Sequence, residues 1–173
     1  MEIIHTAQVE SPIGELRLAS TATGLAFLEL PHANGRGLDG WLQRCAPGAR
    51  CQAGFAPNRR AAVQLVEYLE GKRTAFDLPL DLRGTEFQRR VWQALLEIPY
   101  GETRSYLEVA RAIGAPHAVR AVGAANGANP VALVVPCHRV IASDGSLGGY
   151  GGGLRLKERL LAMEQSRRPS DLL

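Results

Sequence analysis

Two capping boxes fix where helices begin in the second half of this 173-residue chain. In "TEFQ" Thr85 stands three residues before Gln88, and in "SYLE" Ser105 stands three residues before Glu108. Each pair satisfies two backbone N–H groups at a helix start. Apolar residues follow at helical spacing, namely Phe87, Val91, Ala94, Leu95 and Ile98 after the first box and Tyr106, Val109, Ala110 and Ile113 after the second. The chain after Gly84 is therefore predicted to be mostly helical.

The first 30 residues are patterned as β-strands instead. "SPIGELRLAS" opens with a Pro/Gly turn and then alternates Leu16 and Leu18 with charged side chains. "TATG" forms a second turn, and "LAFLEL" follows as another strand. We expect a small sheet at the start of the chain.

The middle of the chain divides it into two domains. Residues 31–58 are rich in Gly, Pro, Asn and Arg and are predicted to be a long connection. Helical spacing returns from Arg59 to Glu70 and stops at Gly71. The extended segment "FDLPLDLRG" comes next. It marks a boundary between a domain of residues 1–80 and a domain of residues 81–173.

Charge is distributed unevenly between these halves. The net charge is +3, but residues 82–173 carry 12 basic and 8 acidic side chains, whereas residues 1–81 carry 8 basic and 9 acidic. Eighteen of the 20 basic residues are arginine, whose guanidinium suits bidentate contact with phosphate. An anionic partner for the second half is indicated.

Cysteine usage and the terminal segment indicate a cytoplasmic protein. "MEIIHTAQVE" has acidic residues and no basic segment, so we expect no secretory signal. No apolar run approaches the roughly 20 residues that span a bilayer. Three cysteines without paired spacing should be free thiols. Cys45 and Cys51 are interpreted as loop cysteines, because a zinc site with His5 and His32 would match no zinc spacing.

A helix pair joined by a Gly-containing turn lies between residues 105 and 128. Gly114 ends the first helix and Pro116 is expected to start the second, which is built of small residues. The pattern is that of a helix-turn-helix, which also occurs in proteins that never bind DNA. On the second helix only Arg120 projects a long polar side chain. That composition suits a narrow groove better than the reading of base edges.

The stretch "VVPCHRVIASDGSLGGYGGG" joins Cys137 to a histidine and a glycine-rich loop. A cysteine needs a neighbouring base or cation to form the reactive thiolate. His138 could act as that base if the chain bends at Pro136–Cys137 or a water relays the proton. The alternatives are an inert core cysteine and a flexible surface hairpin.

These motifs together resemble the O6-alkylguanine-DNA alkyltransferases, also called methylated-DNA–protein-cysteine methyltransferases. The resemblance extends from Gly84 to Glu164 and is carried by "NP", "VVPCHRV", "GYGGG" and "KERLL" with a glutamate beyond it. It implies an α+β fold. The N-terminal domain would be ribonuclease H-like, with an antiparallel sheet and helix, and the mostly helical C-terminal domain would carry a winged helix-turn-helix.

The resemblance also implies roles for single residues. Cys137 would accept the alkyl group from O6 of guanine, or from O4 of thymine, in a single irreversible transfer. His138 would act as base through a water, Glu164 would orient His138, and Asn129 would brace the cluster. No cofactor is implied.

Binding roles follow for the substrate and for DNA. Tyr106 would donate to guanine N3, the carbonyls of Cys137 and Val140 would accept from the exocyclic amine, Gly151 would present its N–H to O6, and Tyr150 would line the alkyl pocket. The second helix would enter the minor groove through Ala118, Val119, Arg120 and Ala121, with Arg120 filling the place of the flipped nucleotide. The partner would be duplex DNA, bound by a monomer able to cluster cooperatively, with no obligate protein partner and no membrane.

Three positions depart from the family pattern. Val119 is bulkier than the small residue usual there, and Gly149 and Gly151 replace residues that carry side chains in some relatives. The zinc ligands of some relatives have no counterpart, since Thr21 and Ala26 occupy those places, so we expect no metal.

Three other functions remain as alternatives. A non-catalytic alkyltransferase-like protein would lack the acceptor cysteine, which this chain has. A cysteine hydrolase built on Cys137, His138 and Glu164 would turn over repeatedly. A transcription factor would leave the cysteine cluster unexplained.

Overall fold

The computed structural model describes residues 1–33 and 35–167 and divides the chain into two compact units. The first unit spans Met1–Arg83, and the second begins at Gly84. The first combines a sheet with helices and the second is mostly helical, so the predicted α+β class is confirmed. None of the helices in the described ranges has the length and apolar character needed to cross a bilayer.

A four-stranded sheet forms the centre of the first unit. Its strands are β1 (Ile3–Ser11), β2 (Gly14–Ser20), β3 (Leu25–Glu29) and β4 (Arg50–Ala53), in the order β3-β2-β1-β4. Strands β1, β2 and β3 pair antiparallel, as the family resemblance implied. Strand β4 pairs parallel to β1, so the sheet is mixed at that edge.

The prediction that residues 31–58 form only a long connection is wrong. They contain helix α1 (Gly37–Cys45), strand β4 and a 3₁₀ turn at residues 56–58. Leu38 and Trp41 of α1 are buried against Ile4, Ala19 and Ala26 of the sheet. Burial of this short apolar face stabilises a helix whose composition alone favours a loop.

Helix α2 (Arg59–Leu69) completes the first unit and confirms the predicted helix. Gly71 follows it with a φ of 75°, a left-handed conformation that favours glycine. The chain then returns in an extended form that bridges Leu80 to Leu25 beside the sheet.

Up to residue 167, the second unit contains four α-helices and one short strand pair. They are α3 (Glu86–Leu96), β5 (Arg104–Ser105), α4 (Tyr106–Ala112), α5 (Val119–Gly127), β6 (Val140–Ile141) and α6 (Leu154–Ser166). Both predicted capping boxes are present: the Gln88 N–H donates to Thr85 Oγ1 at 3.1 Å, and the Glu108 N–H donates to Ser105 Oγ at 3.0 Å. Helices α3, α4 and α5 pack against one another.

Helices α4 and α5 form the expected pair, with one change at the second start. Gly114 ends α4 with a φ of 75°, but α5 begins at Val119 rather than at Pro116. Residues 115–118 form a turn in which the Ala118 N–H donates to the Ala115 carbonyl at 2.9 Å. Strands β5 and β6 form a parallel pair in the same unit. The winged form of the helix-turn-helix stays a prediction.

A buried hydrogen bond ties α3 to α5. The Trp92 indole N–H donates to the Ala125 carbonyl at 2.8 Å, and Trp92 is 1% exposed. Trp92→Phe should lower the free energy of unfolding by about 0.5–1.5 kcal/mol beyond the loss of packing, because the indole hydrogen bond is lost while the Ala128 N–H still donates to the Ala125 carbonyl at 3.2 Å. Guanidinium unfolding followed by far-UV circular dichroism measures this change.

Trp41→Phe is the matched control for that substitution. Trp41 is equally buried, but its indole N–H has no hydrogen-bond partner among the described residues. Its replacement should therefore lose packing alone and destabilise the protein less. Equal destabilisation by the two variants would contradict the assigned role of the Trp92 hydrogen bond.

Candidate active site

The chain bends sharply at Cys137, because residues 137–139 form a 3₁₀ turn between a buried apolar segment and β6. The Cys137 N–H donates to the Val135 carbonyl at 2.8 Å, and the Arg139 N–H donates to the Pro136 carbonyl at 3.0 Å. Cys137 is 6% exposed and His138 is fully buried. Such a bend was expected if the adjacent side chains of Cys137 and His138 are to act at one site.

A buried carboxylate on α6 gathers the residues around this turn. Glu164 Oε2 lies 2.6 Å from His138 Nε2, and Glu164 Oε1 accepts from Arg139 Nε at 2.8 Å and from the Gly101 N–H at 3.1 Å. Arg139 also donates to Glu164 Oε2 at 3.1 Å and to the Ile98 carbonyl at 2.7 Å. Sequence reasoning had placed His138 beside Glu164 but had missed Arg139.

The charges of this cluster are set by burial and by pairing. Burial favours the neutral acid of Glu164, but the hydrogen bonds and charges of His138 and Arg139 together outweigh it and hold the pKa at about 2. Burial lowers the pKa of His138, and the Glu164 carboxylate opposes this only in part. At neutral pH Glu164 is therefore ionised and His138 is neutral.

The neutral His138 imidazole has a defined tautomer. The nitrogen that faces the Glu164 carboxylate must carry the proton, so His138 Nε2–H donates to Oε2. His138 Nδ1 is then the nitrogen with a lone pair. It is this nitrogen that can accept a proton from a thiol, directly or through a water.

Cys137 itself is held as a thiol. Burial raises the pKa of Cys137, while a hydrogen bond from the Asn129 side chain and the charge of Lys157 act in the opposite direction. The thiol is thus protonated at neutral pH, and the reactive thiolate has to be generated by a base.

Two asparagines fix the backbone around the thiol. Asn129 Nδ2 donates to the Val135 carbonyl at 2.7 Å, and its Oδ1 accepts from the Val131 N–H at 3.0 Å. Asn126, on the buried side of α5, directs Nδ2 to the Cys137 carbonyl at 3.4 Å. The role of Asn129 in the cluster stays a prediction, and Asn126 was missed because an amide within a run of small residues is usually solvent-exposed.

The glycine loop, residues 144–153, and α4 meet at the Tyr106 hydroxyl. A Cβ at Gly148 would lie 2.9 Å from that hydroxyl oxygen, and Gly148 has a φ of 72°. Burial raises the pKa of Tyr106, the Cys137 thiolate raises it further, and a hydrogen bond from the Gly149 N–H lowers it. Tyr106 is therefore a protonated donor that lies close to the loop.

The remaining loop residues include a buried tyrosine hydroxyl and two glycines that have open space beside them. The Tyr150 hydroxyl is buried, and burial together with the Cys137 and Glu164 charges raises its pKa well above 10. Among the residues that the structure describes, no atom outside the neighbouring residues lies within 4 Å of a Cβ built at Gly149 or Gly151. The loop backbone is thus accessible to a ligand at both glycines.

Lys157 is a further buried residue that sequence reasoning missed. It is fully buried, and its Nζ donates to the Val140 carbonyl at 2.6 Å, to the Gly149 carbonyl at 3.3 Å and to the Leu147 carbonyl. Lys157, Leu160 and Glu164 recur at i, i+3 and i+7 on α6 and are the three buried residues of that helix. This spacing was the signal that could have identified the lysine.

The residues predicted to contact DNA lie at the start of α5. Arg120 and Ala121 are exposed, and Ala118 and Val119 are half-buried. The opposite face of the helix, with Val122, Ala125 and Asn126, is buried. The exposed Ala121 and Ala124 therefore face outward, together with the long side chain of Arg120.

No three His, Cys, Asp or Glu side chains come together as metal ligands would within residues 1–33 and 35–167. Cys45 is half-buried, Cys51 is exposed, and both are free thiols.

Known proteins match both units. Residues 4–82 match the family model of the 6-O-methylguanine DNA methyltransferase ribonuclease-like domain, and residues 86–166 match that of the DNA binding domain. The chain is 53% identical over 173 residues to the methylated-DNA–protein-cysteine methyltransferase of Mycobacterium tuberculosis (strain ATCC 25618 / H37Rv), with 98% of each chain covered. It is 47% identical over 148 residues to the inducible enzyme of that name from Bacillus subtilis (strain 168), covering 86% of this chain and 83% of the relative.

A solved structure agrees with these matches. The crystal structure of Mycobacterium tuberculosis OGT in complex with DNA superposes with a TM-score of 0.81, at 49% identity and with 97% of both chains covered. Sequence and structure thus agree along both units, and the chain belongs to the 6-O-methylguanine DNA methyltransferase family.

Proposed function

We propose that this protein repairs DNA by direct reversal, transferring an alkyl group from O6 of guanine, or from O4 of thymine, to its own Cys137. The observation that carries the proposal is the buried contact of His138 with Glu164, next to a protonated Cys137 at the edge of an accessible glycine loop. Similarity to methylated-DNA–protein-cysteine methyltransferases supports the same activity.

The first step is removal of the thiol proton. His138 Nδ1 takes it through a water, and the Glu164 carboxylate stabilises the imidazolium that forms. The thiolate Sγ then attacks the alkyl carbon in line, so that an S–C bond forms as the C–O6 bond breaks. The bonding electrons pass to the guanine ring.

The pocket wall stabilises the leaving base. Tyr106 donates a proton to guanine N3, and the Gly151 N–H faces O6, where negative charge develops. The carbonyls of Cys137 and Val140 accept from the exocyclic amine, while Tyr150 lines the space for the alkyl group. The protonated state of Tyr106 supports its role as donor.

The proton that His138 took from the thiol passes through solvent to replace the one that Tyr106 gave to the base, so the products are guanine and a thioether on Cys137. A thioether has no easy hydrolytic exit, so each molecule acts once. The proposed reaction needs only groups that the chain itself supplies, and we assign it no cofactor.

DNA recognition is assigned to the start of α5. Ala118, Val119 and Ala121 would let the helix approach the minor groove, and Arg120 would fill the stack after the damaged nucleotide rotates out. The outward small-residue face and the exposed Arg120 support this assignment. The partner is duplex DNA, bound in the cytoplasm by a monomer that can cluster on the strand.

Methyl transfer should be confined to one cysteine. After incubation with a duplex that contains O6-methylguanine, peptide mass spectrometry should find S-methylcysteine at Cys137 and at neither Cys45 nor Cys51. Cys137→Ser should gain no methyl group, while Cys51→Ser, which removes an exposed free thiol, should react as the wild type does. Methylation at another cysteine would refute the assignment of the acceptor.

The role of Arg120 predicts a difference between two substrates. Arg120→Ala should slow repair of the duplex by at least about tenfold, because unstacking a base costs a few kcal/mol that the arginine helps to offset. Reaction with free O6-benzylguanine should stay close to the wild-type rate, since no nucleotide has to be flipped. Rapid-quench kinetics with both substrates measure the difference, and equal slowing would remove the flipping role.

The role of Glu164 predicts a dependence on pH. With free O6-benzylguanine at pH 7, Glu164→Gln should react about 10–100-fold more slowly, because His138 loses the carboxylate that supports its charged form. The difference in rate between Glu164→Gln and the wild type should narrow as the pH rises toward the raised pKa of the Cys137 thiol, because the thiol then ionises without the base. Rates are normalised to the fraction of protein that alkylates at the endpoint.

Glu158→Gln is the control for that experiment, because Glu158 lies on the same helix but is exposed. It should match the wild type at every pH. A gap for Glu164→Gln that stays constant between neutral and alkaline pH would contradict a role through the base.

A further inference from the structure

A buried cation stands behind the wall of the proposed guanine pocket. Lys157 is fully buried on α6, and its hydrogen-bond partners among the described residues are three backbone carbonyl oxygens, those of Val140, Leu147 and Gly149. Burying an ammonium group costs free energy unless hydrogen bonds compensate it. An apolar side chain would fill the same space without that cost, so the carbonyl contacts need a reason other than packing.

The contacts of Lys157 join two separate segments. Val140 belongs to β6, directly after the turn that carries Cys137, whereas Leu147 and Gly149 belong to the glycine loop. Gly148 and Gly149 are exposed and have no side chains of their own to pack. A single ammonium group therefore holds the loop and β6 together.

We infer that Lys157 is a positioning residue that orients the Val140 carbonyl and the glycine loop so that the pocket recognises the exocyclic amine of guanine. The inference rests on the proposed function, in which the Val140 carbonyl accepts from that amine. A carbonyl oxygen has two lone pairs. The Val140 oxygen can therefore accept a hydrogen bond from Lys157 and still accept another from the guanine amine.

The Cys137 carbonyl, the other proposed acceptor for the exocyclic amine of guanine, is also contacted by a buried side chain. The Cys137 carbonyl receives Asn126 Nδ2 at 3.4 Å, a longer contact than the 2.6 Å between Lys157 Nζ and the Val140 oxygen. Both acceptor carbonyls are thus contacted by buried donors behind the pocket. The shorter, charge-assisted contact fixes its oxygen more firmly.

Two duplexes that differ only in the amine test the inference. One contains O6-methylguanine and the other contains O6-methylhypoxanthine, which lacks the exocyclic amine. The wild type should methylate Cys137 faster from the guanine duplex by about tenfold, the worth of a hydrogen bond to the amine. In Lys157→Met this ratio of rates should fall toward one, because the Val140 carbonyl loses its support.

The ratio separates positioning from folding. A variant that is partly unfolded loses active molecules equally for both duplexes, so its ratio stays unchanged. Leu160→Ala, on the same buried face of α6, should lower stability and keep the wild-type ratio. Lys157→Gln, which removes the charge but keeps a polar end, is a second test. Its ratio of rates should also fall toward one.

The outcomes distinguish the inference from the function on which it rests. If the wild type transfers no methyl group to Cys137 from either duplex, the proposed function fails. If the wild type transfers the group but shows a ratio near one, or if both Lys157 variants keep the wild-type ratio, the inference is wrong and the function stands. A fall in the ratio for Leu160→Ala as well would reduce Lys157 to a structural role.

Discussion

The active site depends on one buried carboxylate. Glu164 is fully buried and accepts hydrogen bonds from the His138 imidazole, the Arg139 guanidinium and the Gly101 backbone. Without these partners, a buried carboxylate of this kind would take up a proton. Because the hydrogen bonds and charges of His138 and Arg139 together keep Glu164 ionised, the carboxylate can hold His138 in a single tautomer with its lone pair on Nδ1.

Burial also keeps the Cys137 thiol protonated, and therefore unreactive, until a base removes its proton. A protonated Cys137 with low exposure is a poor target for oxidants, in contrast to the exposed thiol of Cys51. The proposed reaction consumes the protein, so an accidental reaction of Cys137 would waste a molecule. A thiol that is deprotonated only by a positioned base fits a residue that acts once.

The elements that sequence predicted well carry local signals. Both capping boxes, the helix that ends before Gly71 and the alternating strands were predicted because their patterns act over a few residues. Helix α1 and strand β4 were missed because burial against the sheet, and not propensity, stabilises α1, while all four residues of β4 are exposed at an edge. The late start of α5 reflects a turn at residues 115–118 that the proline alone did not reveal.

The site was predictable only in part. The motifs placed Cys137, His138, Glu164 and Asn129 together through a family resemblance, but no spacing rule brings residues 138 and 164 into contact. Lys157, Arg139 and Asn126 were missed because charged and amide side chains are usually solvent-exposed. Their burial is a tertiary property that results from the packing of α5, α6 and the glycine loop.

Stoichiometry tests the central claim most directly. The protein is titrated with an excess of duplex that carries an isotopically labelled methyl group on O6 of guanine, and the label bound to protein and the guanine restored in DNA are counted over time. Both should rise together and stop at one per active chain. Repair that continues beyond one methyl group per chain, or guanine restored without label on the protein, would contradict the account.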